Sequence, residues 1–313
     1  MIGDSFPPER RGKPVAIYSA ALSLGAGIAS LIGAAVLIWA KTSSGITLPI
    51  VGALKPWQFA FFIVGLPGVL LAVAFLFVPE PPRQPVAADA SVARGGFGAT
   101  LRYIGRNAGA FIGLVSLVCV MTIIAYSHGF LPSAFARTYG WEAKDYAIVN
   151  GIMLLAIGPA TVTSVGILAD RWRRAGNADA PFRLLAIGFV VMIVASATAL
   201  YMPTPTLAFV MLGFGTVGIG TVTAAGVISL LDITPPTIRG QVVALYYMAI
   251  SIAGLGLGPT TVGLLSTRVF GEDDLRAAVS AVPIIYGAVP LLLIVLIARA
   301  YSAQRARIAG DVE

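Results

Sequence analysis

The chain has 313 residues, of which 58% are hydrophobic and only 11% charged. Soluble domains carry about a quarter charged residues, so this balance excludes a soluble domain and predicts an integral membrane protein. The formal charge of +7 does not indicate a nucleic-acid partner, because the basic residues stand at the ends of apolar segments, where they orient a chain in a bilayer.

Eight apolar segments are long enough to cross about 30 Å of hydrocarbon. They are 14–40, 57–78, 108–135, 146–169, 182–202, 207–231, 241–266 and 279–300. An all-α polytopic fold with eight transmembrane helices is therefore expected. The opening residues, MIGDSFPPERRGK, contain no apolar core ahead of a cleavage site, so the first span is expected to direct insertion itself. An even number of spans puts both termini on one side, and 15 of the 21 Lys and Arg residues fall on that side. The positive-inside bias makes it the cytoplasm of a cell with an inner (plasma) membrane. The polar stretch 82–107 divides a two-helix piece, 1–81, from a six-helix piece, 108–313. Its end, with Arg102 and Arg106 four apart beside Tyr103 and Ile104, reads as a short amphipathic turn on the membrane surface.

A block near the start recurs late in the chain. DSFPPERRGKPVAIYSAALS at residue 4 and DITPPTIRGQVVALYYMAIS at residue 232 agree at Asp4/Asp232, Pro7/Pro235, Pro8/Pro236, Arg11/Arg239, Gly12/Gly240, Tyr18/Tyr246 and further positions. Such repeats mark secondary transporters. Four apolar segments lie between the linker and the second copy, and none precedes the first. If the halves are built alike, about four helices are missing at the N-terminal end, and the chain is expected to be truncated.

At the end of the fourth segment stands GILADRWRR, 166–174. Gly166 admits a neighbouring helix, and Asp170 beside Arg171 and Arg174 forms a charged latch that holds helix ends in one conformation and releases them in another. Arg239, at the start of the second repeat copy, belongs to the same charged surface. The seventh segment carries Gly254, Gly258, Pro259 and Gly263, a spacing that allows close packing and bending. The run Gly213, Gly215, Gly218 and Gly220 reads as helix packing, because no strand precedes it.

These motifs resemble the major facilitator superfamily. GILADRWRR is similar to the family's G-x-L-A-D-R-x-G-R-R signature, although Arg173 directly follows Trp172 and the loop glycine is absent. G-x-x-x-G-P-x-x-x-G at 254–263, F-P-P-x-R-R-G at 6–12 and P-W-x-x-x-F-x-x-x-G-x-P-G at 56–68 look like further family features. The last third is most similar to the spinster-like branch. The resemblance implies helices five to twelve of a twelve-helix fold, with a complete C-terminal six-helix bundle and two helices of the N-terminal one. It implies a secondary active transporter of a small organic solute by alternating access, ion-coupled in its full-length form. The alternative is a transport-inactive fragment, or a membrane scaffold or receptor on the same fold.

None of the 14 carboxylates falls in a helix centre, which leaves few groups for a pathway. His128 is the leading cavity candidate, where Gly129 and Pro132 loosen the helix. Tyr126, Asn150 and Tyr247 are the others. For Asn150 and the intramembrane threonines, helix-to-helix bonding is the competing role. Tyr18 and Tyr246 are expected in an interfacial aromatic belt. There is no Walker loop for ATP, one histidine and one cysteine, Cys119, offer no metal cluster, and no cofactor or enzyme activity is expected. The partners are the lipid bilayer and a small-molecule substrate.

Overall fold

A computed structural model describes residues 12–42, 46–48, 52–77 and 96–310. The first repeat copy up to residue 11 and linker residues 82–95 lie outside the described residues, as does the side chain of Tyr18. Helix α1 (Gly12–Thr42) is followed by strands β1 (Ile46–Leu48) and β2 (Gly52–Leu54), then α2 (Pro56–Phe75) and α3 (Gly96–Arg106). The remaining helices are α4 (Ala108–Ser127), α5 (Leu131–Tyr139), α6 (Ala143–Arg174), α7 (Ala180–Thr198), α8 (Pro205–Asp232), α9 (Arg239–Arg268), α10 (Leu275–Leu292) and α11 (Ile294–Gly310).

Six spans are long and apolar enough to cross a membrane among the described residues: Ala108–Tyr139, Ala143–Arg174, Ala180–Tyr201, Pro205–Asp232, Pro236–Arg268 and Leu275–Leu292. The expected first and second spans fall on α1 and α2, whose described apolar stretches are the shorter Leu24–Trp39 and Gly65–Phe75.

The fold is all-α, with one short hairpin in which β1 and β2 pair antiparallel, Leu48 opposite Gly52. Gly52 sits at φ 79°, a backbone state that glycine adopts without steric cost. Two local expectations are corrected. The amphipathic turn before residue 108 is a full helix, α3. The expected last span, 279–300, is two helices that meet at Leu293 (φ −88°, ψ 0°). Pro290 removes a backbone donor just before that junction, which weakens the helix where it breaks.

The chain divides into two compact units, Met1–Ala87 with Trp141–Pro159, and Ala88–Gly140 with Ala160–Glu313. In the first, α1 meets the N-terminal half of α6 through two facing glycines. A Cβ on Gly27 would stand 2.6 Å from Leu155, and one on Gly151 would stand 2.8 Å from Leu31. Ser30 Oγ donates to the Ala147 carbonyl at 2.8 Å.

In the second unit α7 and α8 make the most extensive contact. A Cβ on Gly218 would lie 2.6 Å from the Met192 backbone nitrogen, and one on Gly188 would lie 2.7 Å from Thr221. Of the sequence's glycine run, Gly218 and Gly220 do pack helices, with Gly220 against Thr161 at 3.0 Å. Helix α4 is the hub. Its Gly113 receives Ile297 of α11, and its Thr122 hydroxyl donates to the Ile250 carbonyl of α9 at 2.9 Å. Since lipid tails are as apolar as the side chains, dispersion and such bonds hold these helices together. Exposed Ile112, Ile252, Leu264, Val289 and Val295 form surface suited to hydrocarbon.

Candidate functional site

The charged end of α6 is built differently from the expected latch. Asp170, Arg171 and Arg174 are all exposed. Arg174 Nε donates to the backbone carbonyl of Asp170 at 3.3 Å, not to its carboxylate. Among the described residues Asp170 forms no ion pair with Arg171 or Arg174. Arg171 is one residue on, about 100° around the helix, so it cannot face Asp170. Gly166 has open space where a side chain would begin, so no helix among the described residues approaches it closely.

The ion pair at this end joins Arg173 to Asp232, the last residue of α8. Asp232 Oδ2 also accepts from the Tyr301 hydroxyl of α11 at 2.9 Å. Tyr301 is fully buried and stacks on Phe182, with ring centroids 4.9 Å apart. Burial raises the Tyr301 pKa, and the Asp232 charge raises it further, so the phenol stays protonated and donates. A second acid, Asp179, accepts from Ser302 Oγ at 2.7 Å and Arg305 Nε at 2.8 Å. Arg239 closes the end of α8: Nε donates to the Thr234 carbonyl at 3.2 Å and Nη2 to the Leu231 carbonyl at 3.3 Å. A cation there satisfies free carbonyls and opposes the negative end of the helix dipole. Sequence reasoning missed Asp232 and Asp179 as partners. A signal for Asp232 was present, since it opens the repeated block.

In the packing motif the glycines divide. A Cβ on Gly258 would lie 2.8 Å from the Ile123 carbonyl oxygen, and one on Gly254 would lie 2.6 Å from the Tyr126 ring. Gly263 faces open space. Pro259 lies inside α9 and leaves the helix continuous.

The cavity candidates are dispersed. His128 begins a short 3-10 turn, His128–Phe130, that interrupts the span between α4 and α5. Gly129 and Pro132 therefore loosen the helix where the sequence indicated. The imidazole is half-buried, with no hydrogen-bond partner among the described residues. Tyr126 lies on the Gly254–Gly258 groove and remains 43% exposed. Tyr247 is exposed and meets Tyr246 edge-on at 5.2 Å. Tyr246 itself is buried, not in an aromatic belt, because Gly226 leaves a notch for its hydroxyl. Asn150 lies in the first unit, where its Nδ2 donates to Ser30 Oγ at 3.4 Å and its Oδ1 accepts from Tyr146 at 3.5 Å. That geometry is helix-to-helix bonding.

The comparisons with known proteins agree with this architecture. The model of the Major Facilitator Superfamily matches residues 1–221, well over half of the chain. The chain belongs to the Major Facilitator Superfamily. An MFS-type efflux pump of Mycolicibacterium smegmatis is 28% identical over 291 residues, 88% of this chain and 59% of that protein. Human protein spinster homolog 3 is 24% identical over 290 residues, 85% of this chain and 53% of that protein. The chain thus spans little more than half the length of these relatives. A crystal structure of a bacterial homolog of the human lysosomal transporter Spinster, inward-facing and unoccupied, superposes with a TM-score of 0.69. The identity is 21%, covering 99% of this chain and 74% of that one. The occupied inward-facing form gives a TM-score of 0.63 at the same identity. This is a polytopic membrane protein of a transporter superfamily, with the fold shared by spinster proteins.

Proposed function

We propose that this chain is the solute-translocating part of a secondary transporter that moves a small organic molecule by alternating access. The observation that carries the reading is the superfamily match over residues 1–221. The interrupted span at His128–Phe130 supports it, because discontinuous membrane helices are where transporters place their sites. His128 is the polar group the pathway would use, for substrate contact or proton coupling. The C-terminal six-helix bundle, 108–313, carries the gating charges, and 1–81 supplies the last two helices of the N-terminal bundle, joined through the 82–107 linker. Both termini lie in the cytoplasm of an inner membrane, supported by the Lys and Arg asymmetry. Closure at that face uses Asp170, Arg171, Arg174 and Arg239, exposed and ready to exchange partners, beside the Arg173–Asp232 pair.

The test is uptake by the full chain in proteoliposomes across an imposed pH gradient, screened with organic solutes. Flux above protein-free vesicles, lowered by His128→Gln and Asp170→Asn at equal insertion, is the expected result. Solute binding without flux would replace the transporter reading with a receptor on the same fold.

A further inference from the structure

A cavity of about 190 Å³ opens where α3, α4 and α11 meet, lined by Arg106, Asn107, Gly109, Gln304 and Arg307 among others. Two arginines line it, and among the described residues neither Arg106 nor Arg307 has an ion-pair or hydrogen-bond partner. Its walls are fixed. Gln304, 4% exposed, donates to the Tyr103 hydroxyl at 2.7 Å, and the Tyr103 ring packs edge-on against Phe111 at 5.9 Å. Thr100 of α3 is bonded to Gln241 of α9. Helix α3 is thus pinned at two points along its length.

The other side of α3 points to what fills the cavity. Phe97 is 55% exposed and Leu101 48% exposed, four residues apart on one face, with Arg102 and Arg106 four apart on the opposite face. An amphipathic helix with exposed apolar groups and flanking arginines is built to lie in a bilayer interface, at the level of the lipid headgroups. A soluble anion would need the arginines and would have no use for Phe97 and Leu101.

We propose that Arg106 and Arg307 clamp the phosphate of one anionic phospholipid, at the headgroup depth that the apolar face of Phe97 and Leu101 sets for α3. Guanidinium pairs bind phosphate by charge-assisted forked hydrogen bonds, and basic pockets between helices on the cytoplasmic side select anionic headgroups. Gln304 and Asn107 supply polar contacts for the glycerol side of the headgroup. The leaflet rests on the orientation given under the proposed function, whereas the binding itself does not require transport.

Native mass spectrometry of the purified full chain, offered phosphatidylglycerol and phosphatidylcholine in equal amounts, tests it. The expected result is preferential retention of one phosphatidylglycerol. Arg106→Gln and Arg307→Gln should each weaken that preference about fivefold, the weight of about 1 kcal/mol per cation near a membrane surface. Arg268→Gln, at the far end of α9, should leave it unchanged. If a glutamine variant misfolds, Arg307→Lys keeps the charge, loses the fork and is expected to bind with intermediate preference. Equal retention of the two lipids, or a preference untouched by all these variants, overturns the proposal. Displacement by inorganic phosphate as readily as by lipid would also overturn it, as a site for a free anion. A chain that retains the lipid yet moves no solute would count against the transporter reading alone.

Discussion

Asp232 accepts a 2.9 Å hydrogen bond from Tyr301 on the same carboxylate oxygen that receives Arg173. The ends of α6 and α8 and the middle of α11 are tied by one acid that is 69 residues from one partner and 59 from the other. Asp232→Asn is expected to destabilise the protein by about 1–3 kcal/mol, since it leaves a partly buried guanidinium and a buried phenol poorly matched. Asp170→Asn, at an exposed carboxylate, should stay within about 0.5 kcal/mol. Reversible denaturant unfolding in mixed micelles reads both, and equal losses would refute this division of roles.

The Tyr301 bond has a defined pH dependence. Its folded pKa is raised above the ordinary tyrosine value of about 10. The stabilisation is then fully present below about pH 10 and fades as pH climbs through the raised value. The stability difference between wild type and Tyr301→Phe is expected to be flat around neutrality and to shrink under alkaline conditions. A difference that grows above about pH 10 contradicts the assignment of Tyr301 as a protonated donor.

The glycines of α9 make a sharper comparison. Gly258→Ala drives a methyl into the Ile123 carbonyl, a backbone atom with little room to yield, and should cost about 1–3 kcal/mol by overpacking. Gly263→Ala meets open space and should change stability by no more than about 0.5 kcal/mol. On the same helix pair, Thr122→Val loses the bond to the Ile250 carbonyl and should cost about 0.6 kcal/mol. Thermal melting of the three variants in one detergent ranks them directly.

Asn150 offers a test of structure against substrate. Its amide bonds Ser30 and Tyr146 rather than pointing free. Asn150→Leu is therefore expected to lower stability by about 1 kcal/mol with the KM for any transported solute unchanged. A large KM effect with normal melting would return Asn150 to the substrate path.

The membrane class, the five spans between residues 108 and 268 and the superfamily were readable from the chain itself. Each is a sum over consecutive residues, and a run of apolar side chains long enough to cross hydrocarbon has few other stable settings. The loosening at Gly129 and Pro132 was legible for the same reason, because both act on their own backbone. The partner of Arg173, the burial of Tyr246, the open space at Gly263 and the junction at Leu293 were decided only when helices met. Which acid reaches which arginine depends on the direction each side chain leaves its helix and on how far apart two remote helix ends come to rest. Asp170 stands three residues from Arg173, a spacing that lets two side chains meet on a helix, yet Asp232 takes the arginine because packing brings the end of α8 against it.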